Sequence, residues 1–269
     1  MVRVIKWGLL VSESALQTRI FFRTAVAAFF TLVLPLMFLI MINFFVPDDP
    51  DLTTPASQFI TPALAVFGMV TATFTNLAIN TSMARDEGIL KRVAGTPLPM
   101  TIHLGGRILS AVVVGLLSVS LMLLVGWLMF DVTIYWSTIP MFVMLLVMGA
   151  ATFSALGLAV AAVTPSARAA PAIANFVILP LAFISGVFFP LDGAPEWLQT
   201  LAALLPLEPL ASAAIDTFDP GSGQGLPVRA IVSLSIWGAI ALVIAVRFFS
   251  YEPAEGGARR SREPMAASD

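Results

Sequence analysis

One long apolar segment carries a line of polar side chains that could bind a small molecule. Its members recur at spacings of four, three, four and three, so they share one face of a helix. They are Met69, Thr73, Asn76, Asn80 and Met83. An unpaired asparagine amide is costly in an apolar medium, so this face should meet protein or a water-filled cavity. Ligand contact and hydrogen bonding between helices both explain it. Asn175 and Ser185, in a later segment, are weaker candidates of the same kind.

A second candidate is the segment RDEGILKRVAGTPLP, which occupies residues 85–99. Two acids open it, two bases follow, and Gly95 and Pro97 close it, which is the pattern of a short capped helix. Ile89, Leu90 and Val93 share one side of that helix and would suit docking onto a partner protein. The alternative is a solvated loop. The candidate docking residues are Asp86, Glu87, Gly88, Ile89, Leu90, Lys91, Arg92 and Val93.

Several kinds of chemistry are excluded by the residues that the chain lacks. It has no cysteine, and His103 is its only histidine, so neither a thiolate metal site nor a catalytic triad can be assembled. We expect no catalytic role for His103. A phosphate-binding loop needs Gly-Lys before Ser or Thr. Lys6 and Lys91 are the only lysines and neither follows a glycine, so any ATP must be hydrolysed by another chain.

The elements that position these residues must lie mostly in lipid. Hydrophobic residues make up 58% of the chain and charged residues 11%, whereas soluble domains carry about 25% charged residues. A spanning helix needs about 20 apolar residues. Six such runs occur, at 25–46, 60–83, 108–130, 137–163, 172–189 and 228–249. The sequence therefore predicts an all-α integral membrane protein with six transmembrane helices. The bodies of these spans hold no ionisable residue, unlike those of most ion-coupled carriers.

The basic residues predict the orientation of the chain. They lie before the first span, in the second and fourth connections and after the last span: Arg3, Lys6, Arg19, Arg23, Arg85, Lys91, Arg92, Arg107, Arg168, Arg247, Arg259, Arg260 and Arg262. The other connections are acidic, with Asp48, Asp49, Asp51, Asp131, Asp192, Glu196, Glu208, Asp216 and Asp219. Arg229, at the start of the last span, is the exception. Because basic connections stay inside, both termini are predicted to be cytoplasmic in a plasma (inner) membrane.

Three segments flank or interrupt this predicted transmembrane domain, 25–249. Residues 1–24 should form a helix at the cytoplasmic membrane surface, or alternatively an extension of the first span. Val4, Val11, Ala15 and Phe22 fall near one face of it, and Lys6, Glu13 and Gln17 fall on another. Residues 190–227 should form an outer re-entrant hairpin, because the helix within them is only about 18 Å long. Residues 250–269 should be a flexible cytoplasmic tail.

Three local patterns resemble those of the membrane subunits of type-2 ABC transporters, the ABC-2 exporter group that includes bacterial drug and antibiotic-resistance permeases. RDEGILKRVAGTPLP is similar to the group's cytoplasmic connection after the second span. ISGVFFPLDGAPEWL is similar to the end of its fifth helix and outer hairpin, which LPLEPLASA continues. The resemblance covers about residues 5–250. It departs at Ile89, where a small polar residue is commoner.

The resemblance implies a permease subunit of an ATP-driven exporter, which is not itself an enzyme. Two such subunits, identical or paralogous, would pair in the bilayer, and each would dock a cytoplasmic ATPase through a coupling helix at about 86–94. ATP and magnesium would bind that partner, so no cofactor is expected on this chain, and no nucleic-acid partner is expected. The second and fifth helices would line the substrate path, with Thr73, Asn76, Asn80, Asn175 and Ser185 as candidates.

The substrate implied by the resemblance is a hydrophobic or amphipathic molecule, such as a drug, an antibiotic or a lipid, moved out of the cytoplasm or the inner leaflet. Two alternatives from other classes stay open. One is a membrane-embedded lipid-modifying enzyme, which the absence of a buried acid, base or nucleophile pair disfavours. The other is a regulatory membrane subunit that transports nothing.

Overall fold

The computed structural model describes residues 2–46, 55–188, 191, 193–219, 221 and 225–248. The predicted tail 250–269 and the acids Asp48, Asp49, Asp51 and Asp192 lie outside the described residues. Within them the chain is all-α, as predicted. The helices are α1 Val2–Arg23, α2 Ala25–Phe45, α3 Ser57–Val70, α4 Asn76–Asp86, α5 Ile89–Ala94, α6 Met100–Phe130, α7 Ile139–Val163, α8 Ala170–Ile184, α9 Glu196–Leu204, α10 Leu207–Asp216 and α11 Val228–Phe248, with a π-helical turn, Thr71–Thr75, between α3 and α4.

Five helices of the described chain are long and apolar enough to cross a bilayer: α2, the joined α3–α4, α6, α7 and α11. The predicted span 172–189 corresponds to α8, which has 15 residues and reaches roughly 22 Å, less than the hydrocarbon thickness of about 30 Å. It ends at Ile184, and Gly186, two residues later, adopts a φ of 75° that favours glycine. The helices α9 and α10 meet at a bend of 92°, which fits either a sixth, broken span or the re-entrant hairpin predicted for residues 190–227.

The joined α3–α4 helix is the most enclosed of the candidate spans. It packs against α2, α6, α7 and α10. Small residues permit close approach, as is common between membrane helices. A Cβ at Gly115 of α6 would lie 3.0 Å from the Met69 side chain, and one at Gly157 of α7 would lie 2.6 Å from the Phe74 carbonyl oxygen.

Polar contacts define two ends of the bundle. At the end we name the acidic end, the buried Gln58 amide donates to the carbonyls of Thr133 and Phe218, each at 2.8 Å, and accepts from the Thr133 N–H at 2.9 Å. The acids Asp131, Asp216 and Asp219 lie in these connections. The opposite end, named the basic end, carries α5, Arg85 and the start of α6. Which of the two ends faces the cytoplasm stays a prediction.

The first helix packs lengthwise on α6. Glu13 bonds to His103 and Thr18 bonds to Ser110. Because the bond that lies further along α1 also lies further along α6, the two helices run in the same direction. The side of α1 turned toward α6 carries the polar Glu13 and Thr18 together with the buried Phe21, whereas Leu16, Ile20 and Phe22 are exposed. The predicted location of α1 at a membrane surface stays a prediction.

Candidate functional site

The π-helical turn divides the predicted polar line into two parts. Before and within it, Met69 and Thr73 are fully buried and pack against Gly115 of α6. After it, Asn76 is half-buried and Asn80 is exposed. A π-turn accommodates an extra residue, which rotates the following helix by roughly 100° relative to an uninterrupted α-helix. The single face that we predicted from the spacing is therefore wrong, because the sequence pattern assumed a regular helix throughout.

The part that reaches the surface is a pair of amides. The side-chain amide of Asn80 donates to the side-chain oxygen of Asn76, one turn earlier, and Met83, one turn later, is exposed. The buried Thr73 hydroxyl instead donates to the carbonyl of Met69 at 2.9 Å, within its own helix. Asn76, Asn80 and Met83 therefore form an open polar and thioether surface on an otherwise buried span. We name it the α4 face.

The sequence analysis did not identify two threonine hydroxyls that lie beside the α4 face. The buried hydroxyl oxygens of Thr71 and Thr75 have no hydrogen-bond partner in the described part of the chain. Both residues are half-buried in the π-turn, four positions apart. Their signal in the sequence is the run TATFT, in which three β-branched residues crowd five positions of a span. Turns of this type often lie at functional sites.

The two weaker candidates occupy different environments. The helix α8 packs on α4 and the π-turn through Ala170, Ala174, Ile178 and Ala182. Asn175 lies on its exposed side. Ser185 is buried at its end, where the hydroxyl donates to the Ala182 carbonyl at 3.0 Å. In this conformation Asn175 can contact a molecule outside the subunit, whereas Ser185 closes its own helix.

The predicted docking segment forms a helix, as expected, and one glycine makes the turn into it. The chain reverses at Gly88, whose φ of 70° favours glycine, and α5 follows directly. At the other end, the Thr96 hydroxyl donates to the Val93 carbonyl at 2.7 Å. The segment therefore contains a short helix and is not a solvated loop, but the helix begins three residues later than the predicted 86–94, because Asp86 belongs to α4 and the chain turns at Gly88.

The three apolar residues of α5 do not form one exposed face. Leu90 is fully buried against its own subunit, and Ile89 and Val93 are half-buried. The exposed residues are instead Glu87, Lys91, Arg92, Ala94 and Gly95. The prediction that Leu90 faces a partner is therefore wrong, because α5 turns this side chain toward its own subunit. We name the exposed set the α5 face.

A buried arginine ties the start of this segment to two other helices. Arg85 is 5% exposed and donates to the carbonyls of Ala161 at 3.0 Å and Thr164 at 2.7 Å, at the end of α7. It also pairs with Asp86 at 3.2 Å. The other Asp86 oxygen accepts the Ala167 N–H at 2.6 Å, just before α8. Asp86, which we predicted to face a partner, thus joins α4 to the α7–α8 connection.

A second polar cluster joins α1, α4 and α6 at the same end. His103 Nδ1 lies 2.8 Å from a Glu13 oxygen, which also accepts from Gln17 at 2.8 Å. Arg107 donates to the Asn80 carbonyl at 3.3 Å. These contacts join three helices at the basic end. His103 therefore holds α1 against α6.

Comparison with known proteins identifies the family. The chain is 26% identical over 160 residues, 60% of its length, to a Bacillus subtilis (strain 168) protein described as "Putative transport permease YvfS". The match spans 65% of that relative's length. The family model described as "ABC-2 type transporter" matches residues 9–218, which include α5, the α4 face and α10. The resemblance drawn from the three local patterns is thus confirmed, and the chain belongs to the ABC-2 type transporter family of membrane proteins.

Proposed function

We propose that this chain is the permease subunit of an ATP-driven exporter that moves a hydrophobic or amphipathic substrate out of the cytoplasm or inner leaflet. The observation that carries the proposal is the α4 face. The joined α3–α4 helix is the most enclosed span, and its second half exposes a polar surface only at this face. The clusters around Arg85 and His103 hold the neighbouring helices in place. A second membrane subunit across this face would enclose it as a path. The basic end would face the cytoplasm, with both termini on that side.

The α5 face is the proposed contact for a separate ATPase, which would hold ATP and magnesium. Two bases and one acid surround small residues there, so a partner groove could approach the helix backbone closely. Force on α5 would pass to α4 through the turn at Gly88, and from Arg85 and Asp86 to α7 and α8. Because α8 also packs on the π-turn, one movement of α5 would reach both helices next to the α4 face.

Charge reversal on the α5 face should release the ATPase. We expect Lys91→Glu with Arg92→Glu to lower the amount of ATP-hydrolysing subunit that co-purifies with the tagged chain about tenfold, because complementary charges at an interface become repulsive. Leu90→Ala should instead lower thermal stability, by about 2–5 kcal/mol for a buried leucine. The control is Arg247→Glu, an exposed arginine in the last turn of α11. Equal ATPase recovery with the double variant and the control would show that α5 is not the contact.

Removing the amides from the α4 face should alter export more than stability. We expect Asn76→Leu with Asn80→Leu to change the rate of ATP-driven uptake of a fluorescent amphipathic dye into inverted membrane vesicles at least fivefold. The thermal midpoint should move little, because the two amides bond mainly to each other at a partly exposed site. Thr73→Val is the matched control, since its hydroxyl bonds only to its own helix. If the double variant exports normally, the polar groups serve helix packing instead.

A further inference from the structure

The outward side of α1 combines exposed apolar residues with two unpaired arginines. Leu16, Ile20 and Phe22 are 51%, 50% and 44% exposed. Arg19 and Arg23 are exposed among them, one helical turn apart, so both guanidinium groups project from the same side. Neither has an ion pair with any residue that the structure describes. These five residues, with Thr18, line an open groove of about 470 Å³.

This side cannot turn inward to hide its apolar surface, because the opposite side of α1 is fixed to α6. The bonds from Glu13 to His103 and from Thr18 to Ser110 are both 2.8 Å long. At Gly106, an added Cβ would lie 2.5 Å from Glu13 Cγ. Rotating α1 would break these contacts and bury two arginines against α6. The groove therefore keeps its outward orientation, and its occupant must offer both apolar surface and negative charge.

The level of the groove can be read from α6, which has 31 residues and is roughly 46 Å long. Trp127 near its far end is exposed, as tryptophans at a membrane interface are. About 20 residues of α6 cross the hydrocarbon, so counting back from Trp127 places the other hydrocarbon boundary near Arg107. Thr18 is bonded to Ser110, about one turn inside that boundary, and the long side chain of Arg19 can extend from there to the lipid phosphates.

The direction of α1 allows the second arginine to reach the same level. Cα–Cβ bonds of a helix tilt toward its N-terminus, which for α1 points away from the hydrocarbon. Arg23, one turn deeper than Arg19, can extend its side chain back toward the headgroups, as arginines in membrane proteins commonly do. Two guanidinium groups would then converge on one headgroup, with Leu16, Ile20 and Phe22 beside its acyl chains.

We propose that this groove binds an anionic phospholipid, whose phosphate pairs with Arg19 and Arg23 while its acyl chains lie on the apolar residues around them. Arginine forms two parallel hydrogen bonds to a phosphate, which favours it over lysine at such a site. The site lies outside the α4 and α5 faces, and the proposal depends only on the chain being a membrane protein, not on export.

The test measures lipid binding to the purified full-length chain in detergent by native mass spectrometry. The probes are phosphatidylglycerol and phosphatidylcholine with the same acyl chains. We expect the wild-type chain to prefer phosphatidylglycerol. Arg19→Gln with Arg23→Gln should weaken phosphatidylglycerol binding about 30-fold, since each basic residue near the surface contributes about fivefold. Arg19→Lys with Arg23→Lys, which keeps both charges, should retain most of the affinity.

Arg168→Gln with Arg247→Gln is the matched control, because it removes the same charge from exposed residues at the same end. It should bind phosphatidylglycerol as the wild type does. Equal binding of the two lipids by the wild type would overturn the proposal whatever the variants do. An equal loss of phosphatidylglycerol binding in the control would also overturn it, because it would indicate general charge attraction. Displacement of the lipid by soluble glycerol phosphate would do the same, because it would indicate a site for free anions. Loss of a co-purifying protein from the glutamine variant with unchanged lipid binding would assign the groove to that protein instead.

Discussion

Replacing Arg85 with methionine should unfold the basic end of the bundle first. The substitution leaves the carbonyls of Ala161 and Thr164 without their donor and removes the charge that pairs with Asp86. Removing one partner from a buried ion pair costs about 3–5 kcal/mol. We therefore expect a loss of about 3 kcal/mol in thermal unfolding of the purified protein. Hydrogen exchange should become faster at residues 161–169, where the lost bonds end.

Two further variants separate this effect from a general loss of positive charge. Arg92→Met removes an arginine from the exposed surface of the same segment and should cost less than about 0.5 kcal/mol. Arg85→Lys keeps the charge but can reach fewer of the three acceptors, so it should fall between methionine and the wild type. If Arg85→Met and Arg92→Met have the same stability, the arginine does not hold α4 to α7.

Adding one methyl group at Gly157 should separate two of the central helices. The new Cβ would lie 2.6 Å from the backbone carbonyl oxygen of Phe74 and 3.2 Å from Leu77 Cβ. A backbone atom within the π-turn cannot move without the turn, so α7 itself must shift. Overpacking a closely packed interior costs about 1–3 kcal/mol and occasionally more. We expect Gly157→Ala to lie at or above the upper end of that range in thermal unfolding.

Gly149 on the same helix is the matched control. An added Cβ there would also meet an atom at 2.6 Å, but that atom is the Leu210 Cδ2, at the end of a flexible side chain. Rotation of the leucine can relieve the contact, so Gly149→Ala should cost about 1 kcal/mol or less. If the two variants unfold alike, the distance rather than the kind of neighbouring atom sets the cost.

The stability variants at Arg85 and Gly157 and the export variant at Asn76 and Asn80 address different parts of one chain of contacts. Arg85 connects α4 to α7, Gly157 brings α7 against the π-turn, and the α4 face lies directly after that turn. Loss of stability at Arg85 and Gly157 and loss of transport at the α4 face would therefore indicate that helix packing and transport depend on different residues.

Much of this protein was determined by the sequence alone. Its apolar runs are long and almost free of charge, so a helical membrane protein follows from the energetics of lipid without tertiary information. The acids, bases, glycine and proline around residues 86–97 predict the short helix α5, because caps and turns depend on residue type at fixed positions. The resemblance to the family was visible in three short sequence patterns, because those patterns also consist of particular residue types at fixed positions.

The tertiary structure decided which side of each helix is buried and which side is exposed. Spacing placed Met69, Thr73, Asn76 and Asn80 on one line, but the π-turn rotates the helix between them, and a non-uniform turn leaves no periodic signal. Two side chains point in directions that the sequence did not predict. Leu90 on α5 is buried against its own subunit, and Glu13 on α1 bonds to His103 at the start of α6. A helix pattern identifies its faces, whereas the partner packed against it decides which of them stays exposed.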